Sequence, residues 1–299
     1  MVPILLYLLL CLIWGSTWSV IRIGLVGVPP FLAAGLRFLL SATILFAIVY
    51  FKRISLRFSK EDKVAIFSAG ILGFTGGYAF VYWAEQYISG GLTAILFSSM
   101  PLIVACLSHF WVKTERLTTR KVLGILIGMA GTAILFWTDE QLSAQKIAAM
   151  GSVLLASFCA ATNLVTMKKY SHKTNIYILN ACAMSIAAAC LLSLSFFTES
   201  YREVTWSLSN LTAMIYLAVF GTVIAFICYY TLLHKMPATR LSTLTLSFPI
   251  IAVWIGWLFL NESVSGKTLL GIVTVLAGVS LVILSPSFKK IPEGVQYEG

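Results

Sequence analysis

Two polar side chains stand inside long apolar stretches of this sequence, where a polar group is costly unless it has a partner or a task. Arg37 lies near the start of one stretch, and Asn163 lies midway along another. A guanidinium in such surroundings binds a carboxylate of a ligand, or else it extends to the interface or pairs with a backbone carbonyl. An amide there either joins two helices or faces a cavity. The sequence leaves these alternatives open.

Aromatic residues recur at a spacing of four, which places both members of a pair on one helix face. Such a face can stack against an organic ligand, and a wet cavity would supply partners for the polar tips of tryptophan and tyrosine. Trp18 and Tyr82 fit an interfacial aromatic belt equally well. The candidates for lining a substrate site are Trp14, Trp18, Tyr78, Tyr82, Phe226 and Tyr230.

Proline interrupts two apolar stretches of similar sequence. Pro101 and Pro249 each stand midway along such a stretch, where the loss of a backbone hydrogen bond predicts a bend. The bend is either a static kink or a hinge beside a central cavity. Ser98, Thr243 and Ser247 lie within a turn or two of the prolines. Their hydroxyls are candidates for contact with a polar ligand, although serine commonly bonds to its own helix.

Few titratable side chains lie near the apolar stretches, and they are the candidates for proton coupling. Glu85 follows one stretch, which favours a solvated loop acid, and His109 lies near the end of the next, where a lone histidine is more often structural. Glu115 and Glu262 each stand just before an apolar stretch. That position is typical of helix capping or of pairing with a nearby basic residue.

Motifs for metal binding or catalysis do not occur in the sequence. It has no HExxH and no GxxxxGK[ST], and its six cysteines form no CxxC. The sequence therefore predicts no enzyme, no metal site, no cofactor and no direct use of ATP.

The elements that must position these residues follow from composition. Of the 299 residues, 59% are hydrophobic and 11% are charged, whereas a soluble domain has roughly a quarter charged residues. A helix needs about 20 apolar residues to cross a bilayer, and such runs recur ten times. They predict an all-α polytopic membrane protein with ten transmembrane helices, at 4–24, 31–51, 64–83, 91–112, 121–138, 147–168, 175–197, 211–232, 239–260 and 268–285.

The net charge of +10 does not require a nucleic-acid partner. If the amino terminus is cytoplasmic, 16 of the 21 Lys and Arg residues fall in or beside connections on the cytoplasmic side, as the positive-inside rule expects. The charges therefore predict a multi-pass protein of the cell (inner) membrane with both termini in the cytoplasm.

An internal repeat accounts for the two prolines. When Pro101 is aligned with Pro249, Glu115 meets Glu262, Gly124 meets Gly271, and Gly131 meets Gly278. The alignment predicts a first five-helix repeat at 1–140, a second at 141–286 and a cytoplasmic tail at 287–299. Because five spans is an odd number, the second repeat is inverted, which is a recurrent arrangement in secondary transporters.

The segments "IWGSTWSVIRIG" and "PPFLAAGLRF", the paired proline spans and the repeated "E…G…AG" ending resemble the EamA-type branch of the drug/metabolite transporter superfamily. The resemblance implies a secondary transporter that exports small metabolites such as amino acids through a cavity between its halves. The alternatives are an importer, or a transporter of lipid-like or nucleotide-linked substrates. The expected partners are a small-molecule substrate and the lipid bilayer, while the coupling ion and oligomeric state stay open.

Overall fold

The structure is a computed structural model, and it describes residues 2–88, 90–112, 117–136, 143–171, 175–248, 250–251 and 266–285. Among these residues the regular structure is entirely helical, with no strand. The all-α prediction is confirmed for the described part of the chain. Pro249, Glu115 and Glu262 lie outside the described residues.

The helices follow the predicted apolar stretches. Six of them are long and apolar enough to cross a membrane: Pro30–Phe51, Lys60–Ala84, Ala144–Tyr170, Ile176–Thr198, Leu208–Leu233 and Gly266–Ile283. This finding supports a multi-pass membrane protein. The count of ten spans stays a prediction. The helices with complete bounds in the described residues are α1 Val2–Gly24, α2 Pro30–Phe51, α3 Lys60–Ala84, α4 Gly90–Phe97, α5 Met100–Leu107, α6 Thr119–Phe136, α7 Ala144–Tyr170, α8 Ile176–Thr198, α9 Leu208–Leu233, α10 Ala238–Ser242 and α11 Gly266–Ile283. Residues 244–248 are helical as well.

Helices α3 and α9 begin in the same way. The Ser59 hydroxyl accepts a bond from the Asp62 N–H at 3.1 Å, and the Asp62 carboxylate accepts one from the Ser59 N–H at 2.8 Å. Ser207 and Asn210 form the same reciprocal box at the start of α9. Such boxes satisfy backbone N–H groups that a helix start leaves unpaired. The two boxes are 148 residues apart, which is also the separation of Pro101 and Pro249.

Both helices then widen into a π-helical turn, Ser68–Gly76 in α3 and Val219–Ile224 in α9. At the end of each turn a backbone N–H reaches five residues back: Gly77 bonds to the Leu72 oxygen and Ala225 to the Phe220 oxygen. Wide turns of this kind break the regular ladder of the helix and are frequent at functional sites. The ends of the two turns are again 148 residues apart.

A carboxylate fixes α2 to the end of α8. Glu199 accepts bonds from the N–H groups of Phe31 at 2.7 Å and Leu32 at 2.9 Å, where the helix dipole favours a negative charge. Along the same contact, a Cβ on Gly35 would lie 2.7 Å from Leu192 Cδ2. The helix that carries Arg37 therefore packs tightly on α8.

Glycines bring α6 and α11 into close contact. A Cβ on Gly131 would lie 2.6 Å from the Val275 nitrogen, and one on Gly278 would lie 2.5 Å from the Gly124 oxygen. Helices in lipid associate through small residues of this kind. These glycines are therefore helix-packing positions.

The predicted bend near Pro101 coincides with an interruption between two helices. Helix α4 ends at Phe97 and α5 begins at Met100, with Ser98 and Ser99 in a turn between them. Pro101 lies in the first turn of α5, where its missing N–H removes no helical bond. The helix is therefore interrupted just before the proline.

The two ends of the bundle differ in charge. At one end, called the basic end, Lys52 lies 5.2 Å from the Tyr177 ring, and the Lys168 ammonium donates to the Leu233 and Met236 oxygens at 2.6 and 2.9 Å. The opposite end carries Arg22, Glu85 and Glu199. Large apolar side chains are exposed around the outside of the bundle, as lipid contact requires.

Candidate functional site

A cavity of about 120 Å³ lies between the helices of the bundle. Its wall combines residues of α1, α2 and α3 with residues of α7, α9 and α10, so both halves of the chain contribute. The volume holds several water molecules, and the wall is mostly aromatic and aliphatic. Six of the predicted substrate-lining residues lie on it: Trp14, Trp18, Arg37, Tyr78, Asn163 and Phe226.

Arg37 is the charged residue of this wall and is 1% exposed. Its Nε donates to the Thr222 hydroxyl at 2.7 Å, Nη1 to the Tyr82 hydroxyl at 3.1 Å and Nη2 to the Gly221 oxygen at 3.1 Å. The Tyr78 ring lies 4.9 Å from the guanidinium carbon. Burying a charge is costly unless it is well bonded, and here all of these partners are neutral.

The π-helical turn of α9 makes the Gly221 oxygen available. The Ala225 N–H bonds to the Phe220 and Thr222 oxygens instead of to Gly221. The Gly221 oxygen accepts bonds from Arg37 and, at 3.2 Å, from the indole nitrogen of Trp14. The wide turn therefore supplies an acceptor to two side chains of the first half of the chain.

Aromatic rings close one side of the cavity. Trp14 lies with ring centroids 5.2 Å from Phe226, 5.0 Å from Tyr229 and 5.9 Å from Phe248. The Trp14–Phe226 and Trp14–Phe248 pairs are edge-to-face, an arrangement favoured by the ring quadrupoles. These rings form a compact apolar part of the wall beside the guanidinium, since Trp14 and Arg37 share the Gly221 oxygen.

Trp18 lies on the cavity wall, where its ring packs edge-to-face on Phe97 at 6.0 Å. This position differs from the interfacial belt that the sequence also allowed. Its indole N–H is buried without a hydrogen-bond partner among the described residues. A buried donor without a partner is unfavourable, so an acceptor on a ligand would stabilise it.

Asn163 both joins helices and faces the cavity. Its amide nitrogen donates to the Tyr230 hydroxyl at 3.4 Å, and its oxygen accepts from Ser68 at 3.3 Å. Gly73, in the π-helical turn of α3, leaves room for it: a Cβ there would lie 2.5 Å from the amide nitrogen. The two alternatives drawn from the sequence are therefore both realised by one side chain.

Comparison with known proteins decides the family. The model of the EamA-like transporter family matches residues 1–137 and, a second time, residues 147–284. The chain belongs to the EamA-like transporter family. That family is part of the drug/metabolite transporter superfamily, so the resemblance noted in the sequence is confirmed.

Individual relatives agree with this membership. Protein PagO of Salmonella typhimurium is 27% identical over 94% of this chain and 92% of its own length. The uncharacterized transporter YoaV of Bacillus subtilis is 26% identical, over 94% and 96%. A probable amino-acid metabolite efflux pump of Escherichia coli is 25% identical, over 95% and 96%. These names point to a membrane transporter rather than an enzyme.

A solved crystal structure has the same fold as this EamA-like protein. It aligns over 95% of this chain and 98% of its own with a TM-score of 0.78, at 18% sequence identity. The likeness at this identity concerns the fold alone.

The remaining predicted lining residues of this EamA-like protein lie behind the cavity wall. Tyr82 and Tyr230 are buried and accept the bonds from Arg37 and Asn163, so they position the lining residues. The Thr243 hydroxyl bonds to Tyr7 at 3.0 Å, and Ser247 lies beside Tyr7. Ser98 is fully buried in the turn between α4 and α5. Thr243 and Ser247 thus contact Tyr7 of α1, and neither these residues nor Ser98 belongs to the cavity wall.

Several lining residues of this transporter were not predicted. Thr17 follows Trp14 by three positions and therefore shares its helix face, a signal that was present in the sequence. Tyr229 lies between the two predicted aromatics of α9. The other polar additions are Ser242 and Thr245, on α10 and just after it. Hydroxyl residues occur at positions 239, 242, 243, 245 and 247 of this segment, so residue type did not distinguish those that line the cavity.

The two titratable candidates that the structure describes, Glu85 and His109, lie outside the cavity. Glu85 is buried at the opposite end of the bundle, and neither carboxylate oxygen has a hydrogen-bond partner in the described structure. The expectation of a solvated loop acid is therefore wrong. Burial raises the pKa of Glu85 to about 8, although nearby Arg22 acts to lower it. The His109 Nδ1 accepts a long bond from the Leu117 N–H at 3.5 Å, near the basic end.

Arg37 also lines a second, smaller cavity. This space of about 10 Å³ lies between the central cavity and the opposite end, and Tyr82, Trp206 and Asn210 form part of its wall. The guanidinium and its tyrosine partner therefore separate the two spaces. The described residues contain no group of three His, Cys, Asp or Glu side chains that would hold a metal ion.

Proposed function

We propose that this protein is a secondary transporter that exports small organic metabolites, such as amino acids or related compounds, by alternating access. The observation that carries the proposal is the central cavity, where Arg37 of the first half is bonded to Thr222 and Gly221 of the second. A ligand bound there contacts both halves, so their relative movement can change its access to either side. The efflux name of a relative at 25% identity supports export.

The proposed machinery is two inverted five-helix repeats, 1–140 and 141–286, followed by a cytoplasmic tail at 287–299. The double match of the family model supports this division. The equal spacing of the capping boxes and of the π-helical turns supports it from the described helices. Pro101 and Pro249 are proposed as hinges, with Glu85 and His109 as candidates for coupling to protons.

The proposed orientation places the basic end in the cytoplasm of a cell with the protein in its inner membrane. The positive-inside distribution supports it. Exposed positions at the two ends provide the test, Lys60→Cys at the basic end and Ser209→Cys at the other. A membrane-impermeant thiol reagent added to intact cells should label Ser209→Cys above the parent chain and leave Lys60→Cys unlabelled. The reverse pattern would exclude the orientation.

Counterflow in proteoliposomes tests the transport function. Vesicles loaded with single amino acids, their acylated derivatives, lipid-like compounds or nucleotide-linked compounds are challenged with the labelled form of the same compound. We expect accumulation with one class of small metabolite and none in protein-free vesicles. A folded, monodisperse protein that exchanges no compound of the panel would refute the proposal. Import in cells, or exchange of the lipid-like or nucleotide-linked compounds alone, would favour the alternative functions.

A further inference from the structure

We propose that the central cavity selects carboxylates with an apolar body and no positively charged nitrogen, in preference to zwitterionic amino acids and to amines. Examples of the class are arylalkanoates, branched-chain acids and N-acylated amino acids. This inference deepens the proposed function and rests on it, because it defines which metabolites the transporter would move.

The first support is the uncompensated charge of Arg37. Its hydrogen-bond partners are one backbone oxygen and the hydroxyls of Thr222, Tyr82 and Tyr78, and the described residues offer it no carboxylate. A guanidinium binds a carboxylate strongly because the charges attract and the planar groups match. A ligand carboxylate would supply the negative charge that the protein does not.

The second support is the indole N–H of Trp18, on the same cavity wall. It is buried without a partner in the described structure. Indole nitrogen only donates, so an acceptor atom is what it requires. Arg37 and Trp18 thus both favour a ligand rich in acceptors.

The third support is the distribution of acids along the chain. All eleven Asp and Glu residues lie outside the ten predicted apolar spans, and none of those that the structure describes lines the cavity. A ligand ammonium would therefore meet the positive charge of Arg37 without a protein carboxylate to compensate. Charged groups buried without a counter-charge are disfavoured.

Aromatic rings could in principle bind an ammonium through their faces. Here the rings of Trp14, Phe226 and Tyr229 pack against one another at centroid distances of 5.0 to 6.1 Å. Their faces are partly covered by these mutual contacts. The rings consequently favour an apolar ligand body over a cation.

Four compounds with the same phenyl ring test the proposal: 3-phenylpropionate and N-acetylphenylalanine as monoanions, phenylalanine as the zwitterion, and phenethylamine as the cation. Their dissociation constants are measured with the purified, full-length protein by calorimetry and thermal shift. We expect both monoanions to bind at least tenfold more tightly than phenylalanine, and the amine to bind least. Binding of phenylalanine or phenethylamine that equals or exceeds that of the monoanions overturns the proposal, as does absence of binding by both monoanions.

Substitutions of Arg37 and Trp18 test whether these residues cause the preference for monoanions. Arg37→Gln should weaken monoanion binding at least 30-fold and abolish the ranking of the four compounds by affinity. Arg37→Lys keeps the positive charge, so it should retain this ranking with weaker binding. Trp18→Phe keeps the ring and removes the donor, so it should weaken monoanion binding about threefold to tenfold. The matched controls are Arg120→Gln, at an exposed position, and Trp83→Phe, outside the cavity. Equal effects of the controls would contradict the assignment.

The ligand class and the transport function can fail separately. If the monoanions bind as expected but proteoliposomes exchange none of them, the ligand class stands and the proposed transport fails. If phenylalanine is exchanged and binds more tightly than the monoanions, transport stands and the ligand class fails.

Discussion

Helices α3 and α9 use the same devices at the same spacing, yet they present different chemistry to the cavity. Each starts with a capping box, and each widens into a π-helical turn around a glycine, Gly73 or Gly221. The turn of α3 faces the neutral amide of Asn163, whereas the turn of α9 faces the guanidinium of Arg37. The scaffold is therefore repeated while the charge is not. The charge in the cavity therefore depends on the neighbouring helices: α7 places Asn163 at the turn of α3, and α2 places Arg37 at the turn of α9.

Removing the charge should have the largest effect. Arg37→Met retains much of the side-chain length. It leaves the π-helical turn of α9 facing a neutral side chain, as the turn of α3 already does. We expect exchange of an anionic substrate to fall on the order of 100-fold, because a desolvated charge contact is lost. The melting temperature should stay level or rise, since a buried unpaired charge is relieved. Flux and thermal unfolding are measured together with the exposed control Arg120→Met. A parallel loss of folding and flux would contradict a functional role.

Replacement of each glycine by alanine should show that the turn of α3 has less space for a Cβ than the turn of α9. A Cβ on Gly73 would lie 2.5 Å from the Asn163 nitrogen, whereas one on Gly221 would lie 3.1 Å from Thr17 Cγ2. Gly73→Ala should therefore cost about 1–3 kcal/mol of unfolding free energy, and Gly221→Ala less. Thermal unfolding in detergent measures both. Gly151→Ala is the control, since a Cβ there has no neighbour within 4 Å. A larger loss for Gly221→Ala would reverse the comparison.

The ends of the two helices differ in their response to pH. Glu85 follows the end of α3, while the corresponding end of α9 is Leu233, whose oxygen accepts the Lys168 bond. Burial raises the pKa of Glu85 from 4.5 to about 8, so the folded state keeps a proton that the unfolded state releases. Stability should therefore fall as the pH rises from about 4.5 to about 8.

The test is the melting temperature of the wild type and Glu85→Gln across that pH range. The wild type should lose a few degrees relative to Glu85→Gln as the pH rises, and the two curves should become parallel above pH 8. Glu203→Gln, exposed at the same end, serves as the control and should follow the wild type. Parallel curves for Glu85→Gln and wild type between pH 5 and 8 would contradict the buried carboxyl.

The smallest effect is expected at the capping boxes. Asp62→Asn gives α3 the neutral cap that α9 has in Asn210. The loss of a negative charge at a helix start should cost about 0.3–1 kcal/mol. Unfolding at low and high salt measures it, and the difference from wild type should shrink with salt because exposed charges are screened. A salt-independent loss would point to the hydrogen bonds of the box instead of the charge.

The sequence predicted what depends on residue type and spacing. Apolar runs indicated the helices, and rarity alone singled out Arg37 and Asn163, both of which lie on the cavity wall. The helix faces were harder, because a helix between lipid and an apolar core shows little periodicity. Tyr82 and Tyr230 were therefore placed on the wall when they lie behind it. The π-helical turns and the burial of Glu85 depend on contacts between helices distant in sequence, which no local pattern encodes.

The Glu199 carboxylate at the start of α2 constrains how the molecule can move. It accepts hydrogen bonds from two backbone N–H groups of α2, in the first half, and lies at the end of α8, in the second half. Gly35 of α2 also packs closely against Leu192 of α8. The glycine contacts of α6 and α11 join the halves in the same manner. A rocking motion that preserves these contacts carries α2 with α8 and α6 with α11. In the proposed alternating-access cycle, each moving unit would therefore contain helices of both halves, and the two units would not coincide with the two sequence repeats.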